Sequence, residues 1–249
     1  MRIDIITIFP EMFDGIINNS IIKRSIDKGI VEIHLHDFRE YTTDKHKKVD
    51  DTTYGGGAGM LIRVQPIADC LRSIKGYKDA KVLLTRASGK VYNQARAQEL
   101  AKEEHIIIIC GHYEGIDNRI LNFVDEEVSI GDYILTGGEL PAAIITDSII
   151  RLIPDSISKK SLKDESFTNG LLEYPQFTKP SVYEGLAVPE CLVNGNHERI
   201  RRYRLYMSLK TTYLNRPDLL EGHKFTEEEE RFLKLIKANK NLDTKSLDK

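Results

Sequence analysis

The chain has 249 residues, 41% of them hydrophobic and 30% charged, with a formal net charge of −2. That length holds a sizeable core in one large or two smaller domains, and the mix excludes a disordered or membrane-spanning chain. The charge balance excludes a uniformly basic nucleic-acid binder, though not one that relies on a local basic patch. Cys70, Cys110 and Cys191 lie far apart with no CxxC pair, which argues against a disulfide framework or a thiolate zinc site and suits a reducing cytoplasm. Asp4 interrupts the apolar N-terminus where a signal peptide needs an unbroken run. The longest apolar stretch, "LPAAIITDSIIRLIP", is broken by Asp147 and Arg151 and is too short to span a bilayer.

In chain order, strand and helix patterns alternate as far as Pro154. "RIDIITIF" and "VEIHLHDF" read as strands, with a helix from Phe13 to Lys28 between them. "KVLLT" is a short buried strand, and "NQARAQELAKE" a helix capped by Asn93. "HIIIIC" has the composition of a central parallel strand covered on both faces. "EEVSI" is a further short strand, and an apolar helix starts near Pro141 and stops before Pro154. The alternation predicts an α/β layer fold with a parallel sheet.

Past Pro154 the composition turns polar and rich in serine and lysine, which marks a linker over residues 159–170 between a domain at 1–158 and another at 171–249. "HERIRRYRLYMSLKTTYL" reads as a helix that places Ile200, Tyr203, Met207 and Leu214 on one face. "TEEEERFLKLIKANK" is a last helix, capped at Thr226, and the final "NLDTKSLDK" reads as a frayed end.

Three glycine-bearing segments follow strands directly: "RASGKVYNQ", "GHYEGIDNR" and "GDYILTGGELP". In a parallel sheet such segments gather at the carboxyl edge, where open α/β sheets bind ligands. Glycine lets a ligand approach the backbone closely. Glu114, Asp117, Asp132 and Glu139 predict an acidic edge, better suited to a cationic or hydroxylated ligand than to a polyphosphate. Tight turns alone are the plainer explanation for any one of these segments. No GxGxxG follows the first strand and no GxxxxGK[ST] occurs. His34 and His36 share a strand face, but two ligands make a weak metal site and a structural pair is the simpler reading.

The segments "VDDTTYGGGAGM", "CGHYEGID", "SIGDYILTGGELP", "ESFTNGLLEYPQFTKP", "NGNHERIRRYR" and "NRPDLLE", in this order, resemble the bacterial tRNA (guanine-N1)-methyltransferase family, TrmD. The resemblance implies a SPOUT-type α/β parallel-sheet domain tied in a deep trefoil knot, followed by a smaller, mainly helical C-terminal domain that binds tRNA. It implies a homodimer with active sites at the subunit interface, with no membrane association. The implied reaction moves the methyl group of S-adenosylmethionine to N1 of the guanosine just 3′ of the anticodon, and a requirement for Mg2+ is left open.

By resemblance the cofactor contacts are Thr85, Ser88 and Gly89 from the first segment and Gly111, Tyr113, Glu114 and Gly115 from the second. The third supplies Ser129, Ile130, Gly131, Tyr133, Leu135, Gly137, Gly138 and Pro141. The family's general base is an aspartate immediately before Ser-Phe. This chain has Glu165 there with Asp164 before it, so the role falls to Glu165 by position, with Asp164 as the alternative. Ala87 and Ser88 also depart from the family's Pro-Gln. Arg151 matches an arginine near the reacting base, where a cation can stabilise the guanine O6 as N1 loses its proton. Arg199, Arg201, Arg202 and Arg204 are candidates for phosphate contact, although their helical angles form no single stripe. His46, Asp50 and the "YGGGAGM" loop are placed on the RNA side of the site. Two competing readings are a non-catalytic binding module and a methyltransferase acting on ribose 2′-OH.

Overall fold

The computed structural model describes residues 1–158, 162 and 164–238. The chain divides into two compact units, Met1–Lys159 and Lys160–Lys249. The first unit begins with β1 (Arg2–Thr7), α1 (Asp14–Ile17), α2 (Ser20–Asp27) and β2 (Glu32–Asp37). The short pair β3 (Asp50–Asp51) and β4 (Leu61–Ile62) leads to α3 (Val64–Ser73), β5 (Lys81–Val91) and α4 (Gln94–Leu100). β6 (His105–Cys110), β7 (Glu126–Ser129) and α5 (Glu139–Ile150) complete it. The five longer strands form a parallel sheet in the order β2-β1-β6-β5-β7.

The isoleucine run lies where its composition predicts. β6 is the central strand, and Ile106 to Ile109 are all fully buried. Ile106 and Ile108 join one core with Ile22 of α2, Leu100 of α4 and Ile145 and Ile149 of α5. Ile107 and Ile109 join another with Ile67 and Leu71 of α3. Alternate side chains of one strand thus fill both layers, which requires apolar residues at every position.

Asp4 is the exception on β1, a carboxylate with no exposure. Arg2 donates to it from Nε and Nη2 at 2.7 and 2.9 Å. The Nε2 atoms of His36 and His105 lie 2.6 and 2.7 Å from its two oxygens. His36 is therefore committed to Asp4, while His34 on the same face is exposed, 3.5 Å from Glu32. Burial works to raise the Asp4 pKa, but the hydrogen bonds from His36, Arg2 and His105 together hold it well below the usual carboxylate range. A depressed carboxylate contributes stability above its unfolded value of ~3.9 and loses it as pH falls through the folded value. Asp4→Ala strands these donors and is expected to cost about 3–5 kcal/mol in urea unfolding at neutral pH. A loss below about 1 kcal/mol contradicts this account.

Two local expectations are corrected. The helix expected from Phe13 to Lys28 is broken between α1 and α2, because Asn19 donates its side-chain amide to the Gly15 carbonyl at 3.0 Å and ends the first segment. "RASGKV" is not a loop after a strand but the continuation of β5 to Val91. Its pairing with β7 jumps from Thr85↔Val128 to Lys90↔Val128, so the intervening residues bulge out.

The second unit carries β8 (Val182–Tyr183), β9 (Leu186–Ala187), α6 (Glu190–Val193), α7 (His197–Asn215) and α8 (Glu227–Lys237). Thr226 forms the expected cap of α8, a reciprocal capping box with Glu229. The small core joins Leu171, Tyr206, Leu209, Phe232 and Ile236, with Tyr206 and Phe232 edge to face at 5.7 Å. The buried face of α7 is therefore Tyr206, Leu209 and Thr212, not the expected Ile200, Tyr203, Met207 and Leu214, of which Leu214 is 64% exposed. Thr212 is buried because its hydroxyl accepts from Leu172 N and donates to the Ser208 carbonyl, a polar role that hydrophobic periodicity does not register. Part of the expected linker (159–161 and 163) and the final "NLDTKSLDK" lie outside the described residues.

Candidate active site

The carboxyl ends of β5, β6 and β7 open into one cleft of about 190 Å³. Thr85 contributes from β5, Gly111 to Gly115 from the segment after β6, and Ser129 to Gly131, Tyr133 and Leu135 from the segment after β7. Gly137, Gly138 and Pro141 close it at the start of α5. The structure thus brings together the candidate cofactor residues except Ser88 and Gly89. Both lie on the β5 bulge and outside the lining. Ser88 donates its hydroxyl to Glu127 at 3.1 Å, and a Cβ on Gly89 would fall 2.4 Å from Val128 N. Ala87, which departs from the family's pattern, lines the cleft, as do Arg86, His112, Val128, Ile134 and Thr136, which were not singled out from the sequence.

The glycines divide into two kinds. At Gly111 and Gly115 an added Cβ finds its nearest neighbour at 3.7 and 3.9 Å, so at Gly111 a side chain takes up cleft space without internal conflict, whereas Gly115, at φ 121°, holds a backbone that favours glycine. The glycines of "SIGDYILTGGELP" are different. A Cβ on Gly131 would lie 2.7 Å from Tyr133 Cε1, and one on Gly137 would lie 2.3 Å from Glu139 Oε2. A Cβ on Gly138 would lie 2.2 Å from Thr85 Oγ1 and 2.7 Å from Gly111 N. Gly137 and Gly138 are glycine for close packing of the cleft wall on itself, with Gly138 N donating to the Gly111 carbonyl at 2.7 Å, whereas Gly131 holds φ 144°, a backbone that favours glycine.

The wall is less acidic than its composition suggests. Glu114 lines the cleft. Asp117 is engaged by Arg119, which holds its pKa below the usual range. Asp132 lies outside the lining, and Glu139 is buried beneath it, accepting from Thr7 at 2.8 Å. Tyr113 adopts a left-handed backbone, φ 56°, uncommon for a bulky residue and a local strain at the site.

The β3–β4 connection carries "YGGGAGM" and is stitched to the second cleft segment. Glu114 N donates to the Met60 carbonyl, Ile62 N to Gly115, and Asp117 N to Ile62, at 3.1, 3.0 and 2.9 Å. Asp50 sits at the base of this hairpin, and His46 lies on an exposed turn before it. Tyr54 is 99% exposed at the turn.

In the second unit, Asp164 and Glu165 line a cavity of about 490 Å³ together with Arg201 and Arg204. Glu165 is half-buried, with its carbonyl accepting from Thr168 N at 3.2 Å, while Asp164 is exposed. Arg201 is bonded to both Glu198 and Glu228, and Arg202 pairs with the same two carboxylates. Arg204 stacks over the Tyr174 ring at 4.8 Å. The Arg199 N–H bonds Asn196 Oδ1 at 3.1 Å. Arg151 ends α5 in the first unit, its N–H bonded to the Asp147 carbonyl. A hollow of about 530 Å³ between Tyr174–Lys179 and residues of α6 and α7 is lined by no carboxylate, imidazole or thiol. Among the described residues no group of three or more His, Cys, Asp or Glu side chains could hold a metal, and no helix is long and apolar enough to cross a membrane.

The cleft lies at the carboxyl edge of a parallel α/β sheet, the edge at which open sheets of this class bind ligands. The chain belongs to the family described as tRNA (Guanine-1)-methyltransferase TrmD, whose model matches residues 1–222. A protein of Dictyoglomus turgidum is 51% identical over 238 residues, covering 95% of this chain and 97% of that protein. One of Clostridium botulinum is 53% identical, covering 94% and 98%, and one of Streptococcus gordonii 54% identical, covering 96% and 98%. All three relatives are named tRNA (guanine-N(1)-)-methyltransferase.

Proposed function

We propose that the chain is a tRNA methyltransferase that moves the methyl group of S-adenosylmethionine to N1 of the guanosine just 3′ of the anticodon. The observation that supports this most is the single cleft walled by the ends of three parallel strands, in a chain of this family. Its residues fit the cofactor: Gly111 and Gly115 leave room at the backbone, and Glu114 provides a carboxylate beside a cationic ligand. When bound, S-adenosylmethionine supplies the activated methyl group.

The remaining chemistry belongs to the chain. Guanine N1 carries a proton at neutral pH and is a poor nucleophile until it is removed. Glu165 takes that proton, with Asp164 as the neighbouring alternative, and Arg151 offsets the charge that develops on O6. Arg199, Arg201, Arg202 and Arg204 on α7 meet RNA phosphates, Arg201 and Arg202 exchanging their Glu198 and Glu228 partners to do so. His46, Asp50 and the exposed Tyr54 hairpin face the flipped anticodon-loop bases.

The same reading includes the knotted sheet domain and a homodimer. The dimer is supported by an apolar outer face on the first unit. Leu140 and Ile144 of α5 are 50% and 49% exposed and line one shallow hollow with Tyr133 and Leu135, at 55% and 37%, a patch of the kind that marks an interface. Ile144→Asp is expected to convert a dimer to a monomer in sedimentation at micromolar concentration, and an unchanged dimer counts against this face. Calorimetry with S-adenosylmethionine tests the cleft: binding that is lost in Gly111→Val, where the added side chain has room and the backbone is not left-handed, supports the assignment, and equal binding by the two proteins overturns it.

A further inference from the structure

Glu139 is only 2% exposed, and it lies beneath the cleft rather than in it. Its Oε1 accepts from the Thr7 hydroxyl at 2.8 Å, tying the first turn of α5 to the end of β1. Its Oε2 faces His112, whose Nδ1 stands 3.8 Å away. That Nδ1 is buried and has no hydrogen-bond partner among the described residues. Gly137 is wedged beside both groups, since a Cβ there would lie 2.3 Å from Oε2 and 2.6 Å from Nδ1. His112 itself lines the cleft and pairs through its backbone with Gly137. The Phe9 and Tyr113 rings pack edge-on against the imidazole at 5.0 and 5.1 Å.

An unsatisfied buried nitrogen beside a buried carboxylate is rare in a folded protein. Here the gap exceeds a normal hydrogen bond by roughly 1 Å. The groups on either side belong to the two segments that form most of the cleft wall. Resting on the reading of the cleft as the cofactor site, we propose that Glu139 is a positioning residue that acts through His112. When the cleft fills, the Gly111–Gly115 segment moves inward and His112 Nδ1–H bonds Glu139 Oε2. The bond holds the second and third segments in register on the end of β1, so it favours the loaded state over the empty one. The Cys110 thiol, pushed up by burial and by the Glu139 charge, stays neutral and does not compete for the proton. Tyr113 and Glu139 are the titratable groups seen against the His112 ring.

Two readouts test this, calorimetry with S-adenosylmethionine and the 15N resonance of His112 Nδ1 with and without S-adenosylhomocysteine. Glu139→Ala is expected to weaken cofactor binding about tenfold or more, with kcat at saturating substrates within about threefold of wild type. Glu139→Gln keeps an acceptor for Thr7 and offers an amide N–H to the neutral ring, and it is expected to restore binding to within about threefold. In wild type the His112 Nδ1 resonance shifts to its hydrogen-bonded position on ligand binding. A merely structural role lowers the melting temperature and leaves both readouts unmoved. If Glu139→Ala does not fold, Thr7→Val loses the hydroxyl's bond to Glu139 and the one it accepts from Phe9 N, and is expected to weaken binding about threefold or more. Folded variants that bind as wild type does, or a His112 resonance that ligand does not move, overturn the inference. Wild-type protein that binds no S-adenosylmethionine overturns the reading of the cleft as well.

Discussion

Glu165→Ala is expected to lower the single-turnover rate of methyl transfer about 10²- to 10⁴-fold, the range for loss of a general base, with cofactor affinity almost unchanged. The side chain departs from a fixed backbone. The Glu165 carbonyl accepts from Thr168 N, Phe167 N bonds the Leu171 carbonyl at 2.7 Å, and Ser166 Oγ accepts from Glu173 N at 2.9 Å. Such a turn limits the positions the carboxylate can reach, which proton abstraction requires. Asp164 shares the cavity but is exposed, so Asp164→Ala is expected to lower the rate by only a few-fold. The reverse order assigns the base to Asp164. If neither variant slows the chemical step, the proton leaves by another group. Glu165→Asp restores the residue type at the family's position, and it is expected to retain most of the activity.

Gly138→Val is expected to abolish measurable cofactor binding and to lower stability by about 1–3 kcal/mol or more, as overpacking does. The added Cβ falls 2.2 Å from Thr85 Oγ1, 2.7 Å from Gly111 N and 2.8 Å from Cys110 Cα. Two of these are backbone atoms at the end of the central strand and cannot turn aside. The start of α5 must therefore lift away from β6, breaking the bond from Gly138 N to the Gly111 carbonyl. Thermal unfolding and calorimetry read both effects. Gly15→Ala serves as the control, since its Cβ meets nothing within 4 Å and its backbone is helical. A Gly138→Val protein with wild-type melting and affinity contradicts the packing described for the cleft.

The parts of the fold that were legible in the sequence are those where one local rule decides the outcome. The isoleucine run marked β6 because a strand buried on both faces needs apolar residues throughout, and Asn93 and Thr226 marked helix starts because their side chains satisfy free N–H groups. Strand order was not legible, since pairing depends on contacts far apart in the chain. The β5 bulge was hidden because "RASGKV" has loop composition, and only β7 alongside makes it strand. Thr212 was missed because a buried hydroxyl satisfied by backbone looks polar to any hydrophobic count. At the candidate site, the segments were legible and the reasons for their glycines were not. Gly137 and Gly138 suggested ligand approach, whereas their neighbours are Glu139, His112 and the end of β6. Glu139 read as an edge charge, and only the structure places it under the floor.

The central claim is methyl transfer to one base at one position. The most direct measurement offers the protein labelled S-adenosylmethionine and two anticodon stem-loop transcripts, one with guanine just 3′ of the anticodon and one with adenine there. Label on the guanine transcript alone, recovered after digestion as N1-methylguanosine, is the predicted result. Label on neither transcript while cofactor still binds, or label recovered as a 2′-O-methylated nucleoside, contradicts it.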